Sequence, residues 1–151
     1  GNRSLQLVDN AESGTPQGFV AWIVGLQEGD IIDGSFWRYD DTPGASPSCR
    51  IWGHYTQTGG TIDSYAGSAS GNSDYGPGEG WDMTDYSWTF DSDGGAHDGL
   101  VIEVRTYSSP GDTVWVDDLM VTAPDHATIY VAPEPTSLLL LGLAGLFIRR
   151  R

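Results

Sequence analysis

Short apolar runs with a period of two fill the first 122 residues, and clusters of Gly, Pro, Asp and Ser separate them. Such alternation sends successive side chains to opposite faces of a strand. No part of this region has the 3.6-residue period of an amphipathic helix. The pattern predicts an all-β fold, an antiparallel β-sandwich of the jelly-roll kind. We predict strands at Ser4–Val8, Phe19–Gly25, Ile31–Asp40, Cys49–Thr56, Thr84–Phe90, Leu100–Tyr107 and Thr113–Val121.

The composition divides the chain into three parts. Residues 1–122 form the predicted sandwich domain, which contains a long loop at 59–80 rich in Gly, Ser, Asp and Tyr. Residues 123–132 are predicted to be a linker, and residues 133–151 a separate tail. Because Cys49 is the only cysteine of the chain, an intramolecular disulfide is excluded.

The tail has three distinct segments. Pro133 and Pro135 flank Glu134 and hold the entry extended, because each proline lacks a backbone donor. Residues 137–148 are uncharged and contain six Leu, one Phe and one Ile, which predicts a short hydrophobic membrane helix. Twelve helical residues rise about 18 Å, less than the hydrocarbon core of about 30 Å. The positive-inside rule places the terminal Arg149, Arg150 and Arg151 in the cytoplasm.

This order of segments resembles the PEP-CTERM sorting signal of exopolysaccharide-producing Gram-negative bacteria. The resemblance implies export by the Sec route and processing near Pro133-Glu134-Pro135 by an exosortase, a membrane-bound cysteine protease. The protein would pass through the inner membrane and then reach the cell surface or the extracellular matrix. Since an exported protein begins with a signal peptide and this sequence starts at Gly1, we expect a fragment or a mature form.

The charge of the chain is strongly one-sided. The net charge is −14, and there is no Lys at any position. A field of this sign repels nucleic acid, so we expect no nucleic-acid partner. It favours divalent cations and uncharged partners, although solubility outside the cell is an alternative explanation of the same charge.

Several predicted strands alternate between an apolar face and a face that mixes aromatic with charged side chains. If the strands share one sheet, the mixed faces form a single surface. Sugar rings stack on Trp and Tyr, and sugar hydroxyls bond to Arg and Glu, so this surface would suit a neutral carbohydrate. Packing between aromatic side chains across the sheet is the alternative. The candidate carbohydrate-binding residues are Trp37, Tyr39, Arg50, Trp52, His54, Glu103, Arg105 and Tyr107.

Four further segments carry a second resemblance. They are Gly1–Leu7, Gly29–Trp37, Gly80-Trp81 with Tyr86–Phe90, and Val114–Leu119. In this order they resemble the CBM4/9 carbohydrate-binding domains. The resemblance implies a galactose-binding-like jelly roll that lacks its first strands here.

The same resemblance implies a structural calcium, with Asp117 and Asp118 as ligands and further ligands from an early loop that this chain lacks. Ca²⁺ takes six to eight oxygens, of which two neighbouring residues supply a minority. The alternative is that Asp117 and Asp118 are polar residues at a strand bulge.

Two functions remain open. The first is a surface-displayed, non-catalytic sandwich that binds carbohydrate, for example exopolysaccharide. The second is a structural or adhesive matrix protein without a defined small ligand. We do not expect an enzyme, because the sequence has no nucleophile elbow, phosphate-binding loop or dinucleotide fingerprint, and no motif selects a catalytic pair among its many carboxylates.

Overall fold

The computed structural model describes residues 4–41, 49–76, 79–106 and 110–131. Within these ranges the chain is almost entirely β-structure, with one short 3-10 turn at Asp93–Gly95. The all-β prediction is confirmed. The strands are β1 Leu5–Val8, β2 Gln17–Val24, β3 Ile31–Asp40, β4 Arg50–Gln57, β5 Tyr65–Gly71, β6 Gly80–Thr89, β7 His97–Arg105, β8 Thr113–Thr122 and β9 Thr128–Val131.

The strands form two antiparallel sheets that pack as a sandwich. One sheet has four strands in the order β1-β8-β3-β6, and the other has five in the order β5-β4-β7-β2-β9. Most neighbours in a sheet are distant in the sequence, as in Greek-key and jelly-roll arrangements. In particular, β3 and β4 follow each other along the chain but lie in opposite sheets.

The core lies between the two sheets, as the alternation of apolar and polar residues along the strands predicts. Ile32 and Phe36 of the four-stranded sheet face Ile51 and Ile102 of the five-stranded sheet, and all four side chains are buried. Trp88 fills the space that two glycines leave open. A Cβ at Gly34 would lie 3.0 Å from its ring, and one at Gly53 would lie 2.9 Å from its Nε1. These glycines, one in each sheet, therefore make room for a single indole.

Two strands form where the sequence predicted none. β5 lies inside the predicted loop 59–80, and β9 lies inside the predicted linker 123–132. The Gly- and Ser-rich β5 has little intrinsic preference for a strand, but it pairs with β4 through a register with two irregularities. β6 begins at Gly80, four residues before the predicted start, because its first residues pair with the end of β3. Tertiary pairing thus outweighs local propensity at these points.

Arg38 closes one end of the sandwich from the inside. Arg38 lies two residues after Phe36 on β3, so it is on the same, inner face of the strand, and its side chain is buried. Nε and Nη2 donate to Asp82 Oδ2 at 3.2 and 2.7 Å, and Nη1 donates to the carbonyl oxygens of Asp74 and Cys49. The guanidinium thereby joins the two sheets. Burial raises the pKa of the neighbouring Cys49 thiol to about 12.

The predicted membrane segment 137–148, its helix and the sorting residues Pro133, Glu134, Pro135 and Arg149–Arg151 lie outside the described residues. Within the part of the chain that the structure describes, no helix is long and apolar enough to cross a membrane.

Candidate carbohydrate-binding surfaces

The predicted carbohydrate-binding residues divide between the two sheets. Trp37 and Tyr39 lie on β3, in the four-stranded sheet. The expectation of one shared surface is therefore wrong, because outer faces of opposite sheets point away from each other. Tyr107 lies outside the described residues. The members on the five-stranded sheet are Arg50, Trp52, His54, Glu103 and Arg105.

A buried charge lies on the outer face of the five-stranded sheet. The Glu103 side chain is 0% exposed, and its Oε1 accepts from Arg105 Nε at 3.1 Å and from Arg105 Nη2 at 2.9 Å. His54 Nδ1 lies 3.7 Å from the same oxygen. Glu103 Oε2 has no hydrogen-bond donor among the described residues. A buried carboxylate depends strongly on the arginine with which it pairs.

Aromatic side chains cover this charge. Phe19 of β2 and Trp52 of β4 lie directly opposite Glu103 on the two neighbouring strands. The ring of His54 lies between those of Phe19 and Tyr65, with centroid distances of 5.1 and 5.3 Å. We call this surface, made of Phe19, Trp52, His54, Tyr65, Glu103 and Arg105, the covered face.

The ring of Trp52 is already occupied. The guanidinium carbons of Arg50 and Arg105 lie 4.1 and 4.8 Å from its centroid, which is the geometry of cation–π contacts. Its Nε1 donates to Ser68 Oγ at 3.0 Å. The arginines that the sequence offered as sugar donors thus stack on the aromatic ring that was to hold the sugar.

The outer face of the four-stranded sheet has the opposite character. Trp37 is 43% exposed and Trp81 is 49% exposed. Tyr39 lies between Trp81 and Trp115, with ring centroids 5.2 and 5.5 Å away. Met83 lies directly opposite Trp37. We call this surface, made of Trp37, Tyr39, Trp81, Met83 and Trp115, the open face.

Polar groups border the open face. Asp117 of β8 lies directly opposite Trp37 on the neighbouring strand. A cleft of about 290 Å³ runs beside the Trp37 ring, and Ser35 and Asp118 contribute to its walls. Flat rings therefore lie beside carboxylate oxygens that can accept hydrogen bonds from a ligand's hydroxyls.

Trp81 and Trp115 were not among the predicted carbohydrate-binding residues. Trp81 precedes the predicted start of its strand, so its side was not assigned. Trp115, however, has the same strand parity as Asp117 on β8, and the same alternation rule would have placed it outward.

Asp117 and Asp118 lie at a β-bulge, where the β3–β8 register shifts between Ser35 and Trp37. Asp118 has a φ of 50°, and its N–H donates to Asp117 Oδ1 at 2.9 Å. Throughout 4–41, 49–76, 79–106 and 110–131 there is no group of three or more side chains able to hold a metal ion. Two carboxylates fall short of the oxygens that Ca²⁺ takes, so these residues alone do not form a calcium site. A calcium there stays a prediction.

Comparison with known proteins identifies the tail. Residues 131–151 match the family model of the PEP-CTERM protein-sorting motif. Neither a curated protein nor a solved structure matches the chain. The likeness of the sandwich to CBM4/9 domains is not confirmed by these comparisons and stays a prediction. The matched motif marks the chain as an exported protein of a Gram-negative bacterium with a C-terminal sorting signal.

Proposed function

We propose that the sandwich is a non-catalytic domain that binds neutral carbohydrate on the open face. The observation that carries this proposal is the half-exposure of Trp37 and Trp81 on one face of one sheet, with Tyr39 beside them. Exposed rings of this size are costly in water and typical of binding surfaces.

The chemistry of the open face fits a sugar. Pyranose C–H groups stack on flat aromatic rings, and each such contact contributes about 1 kcal/mol beyond area burial. Asp117 and Asp118 provide acceptors for sugar hydroxyls at the edge of the rings. An anionic polymer would meet an unfavourable field, since residues 1–132 carry twenty acidic side chains against four arginines. We therefore propose a neutral polysaccharide, bound weakly by each domain and tightly by many domains on a surface.

The sorting motif supplies the setting for this binding. We propose that an exosortase-type protease removes the tail near Pro133-Glu134-Pro135 and that the domain is then retained at the cell surface or in the exopolysaccharide matrix. The apolar run 137–148 would hold the chain in the membrane until processing. Polysaccharide is then the abundant polymer within reach of the exposed rings.

Affinity gel electrophoresis on neutral polysaccharides tests the proposal. The protein recovered from the host after export should be retarded by at least one such polymer, and the variant Trp37→Ala/Trp81→Ala should run as in a gel without polymer. The matched control is Tyr130→Ala, which removes an exposed aromatic ring from the other sheet. Equal retardation of the double variant and the control would exclude the open face as the binding site.

The second candidate is a structural or adhesive matrix protein, and the acidic charge favours it. Divalent cations could bridge carboxylates of neighbouring copies of so acidic a domain. Light scattering discriminates the two functions. Reversible association in millimolar calcium, without retardation on any polysaccharide, would favour the matrix protein over the carbohydrate-binding domain.

A further inference from the structure

The strand that leads into the sorting motif is held loosely. Among the strands that the structure describes, β9 is an edge strand and pairs only with β2, through Ala21–Val131, Trp22–Tyr130, Ile23–Ile129 and Val24–Thr128. All four residues of β9 are exposed. A four-residue edge strand with little buried side-chain area is the kind of element that opens first in a native protein.

The side-chain contacts of β9 are correspondingly few. Tyr130 lies against Trp22 at a centroid distance of 5.6 Å. Beside this pair lies an apolar cleft of about 290 Å³, which Phe19, Ile62 and Val131 also line. The outer side of the strand is thus incompletely packed.

The chain just before β9 is anchored. His126 Nε2 lies 2.9 Å from Asp30 Oδ2, and the N–H of Ala127 donates to the Pro124 carbonyl oxygen at 2.9 Å. Ala123 and Ala127 pack against the core. If β9 leaves the sheet, the hinge therefore lies at Ala127, and the rest of the sandwich keeps its contacts.

Register fixes how far the sorting motif can reach. Val131 is paired with Ala21, and Pro133 follows two residues later. Each extended residue spans at most about 3.6 Å, so Glu134 stays within about 11 Å of the sheet while β9 is paired. Release of β9 back to Ala127 extends this reach to about 25 Å. A protease that binds an extended peptide needs free chain on both sides of the bond it cuts, and the body of a folded domain cannot enter its cleft.

We infer that β9 is a releasable strand: it must leave β2 before a membrane-bound protease can process the sorting motif. While β9 is paired, chain length keeps Glu134 within about 11 Å of the sheet, and release of β9 raises this limit to about 25 Å. The inference rests on the proposed processing near Pro133-Glu134-Pro135.

A cross-strand disulfide tests the inference in the full chain. Trp22→Cys/Tyr130→Cys joins residues that lie directly opposite each other, at a Cα separation within the range a disulfide spans. In cells with the processing protease, the oxidised double variant should lose its tail about tenfold more slowly than either single variant. A second variant carries the same disulfide and ten Gly and Ser residues inserted after Val131. It should recover the rate of the single variants, because the inserted chain replaces the reach that β9 supplied.

The outcomes separate the inference from the proposed function. Equal rates for the oxidised double variant and the single variants would overturn the releasable strand and leave processing intact. A disulfide variant that stays uncut even with the spacer would overturn the inference as well, since reach would then not be limiting. Failure to process the unmodified chain would instead overturn the proposed processing on which the inference rests.

Discussion

The two outer faces of the sandwich are built from similar residue types but arranged in opposite ways. On the covered face, Glu103 is buried and aromatic rings lie over it. On the open face, the rings of Trp37 and Trp81 reach the solvent and the carboxylates lie at the edge. The comparison shows that a mixture of aromatic and charged side chains on strands does not identify a binding surface. Whether the aromatic rings or the charged groups are exposed determines whether the surface can bind a ligand.

The aromatic and charged groups of the covered face contact one another and stabilise the fold. Arg105 pairs with Glu103, and both Arg105 and Arg50 stack on Trp52, so these side chains make their contacts within the domain. The open face leaves its rings with partial contacts among themselves, which is the arrangement that a ligand can complete. Substitutions on the first face should therefore change folding, and those on the second should change binding.

The largest effect is expected for Glu103→Ala. This change leaves Arg105 without its carboxylate beneath the aromatic cover, so the free energy of unfolding should fall by about 3–5 kcal/mol. Urea denaturation followed by tryptophan fluorescence measures the loss. Glu12→Ala, at an exposed position, is the control and should stay within about 0.5 kcal/mol. A cost below about 1 kcal/mol for Glu103→Ala would show that water reaches the carboxylate.

Trp52→Ala should also act on stability. The ring contacts Arg50 and Arg105 and is half-buried, so its removal should cost about 2 kcal/mol in the same denaturation experiment. Polysaccharide retardation should remain unchanged, contrary to what the sequence alone predicts. Loss of binding by a variant that is still folded would return Trp52 to the carbohydrate site and weaken the contrast between the faces.

Trp37→Ala should do the reverse. One stacking contact of about 1 kcal/mol corresponds to an affinity about fivefold lower, which a titration in the affinity gel measures. The unfolding free energy should fall by less than in Trp52→Ala, because the Trp37 ring is 43% exposed. If the variant unfolds as readily as Trp52→Ala, the open face is a structural layer.

Calcium is expected to have the smallest effect. Because Asp117 and Asp118 do not complete a calcium site by themselves, we expect only weak binding there, with a dissociation constant of about 1 mM. At an equal calcium concentration the gain in stability is about 0.4 kcal/mol, a rise in Tm of about 1–2 °C. Differential scanning fluorimetry with and without chelator measures it, and Asp117→Asn should abolish the rise. A shift of 10 °C would reveal a complete site with further ligands.

Alternation in the sequence predicted the core well. Ile32, Phe36, Ile51 and Ile102 lie on the apolar faces of their predicted strands and all face inward, because the side-chain period of a strand is fixed by backbone geometry. The alternation of side chains does not indicate which strands share a sheet. Trp37 and Trp52 were therefore joined in one hypothesis although β3 and β4 lie in opposite sheets.

Buried charge was the other point at which sequence reasoning failed. Arg38 has inward parity, and Glu103 has outward parity, yet both are buried. Whether a charged side chain is buried depends on partners that come from distant strands, such as Asp82 for Arg38. Such partners become visible once the strands are paired in space.

The burial of Cys49 has a consequence for an exported protein. An exported protein with one cysteine could form disulfide-linked dimers whenever copies become crowded in an oxidising medium. Here the thiol is enclosed beside Arg38, and its pKa of about 12 keeps it protonated at any physiological pH. Since the thiolate is the form that attacks disulfides, the folded chain is inert toward exchange. Cys49 of the folded domain therefore does not crosslink neighbouring copies.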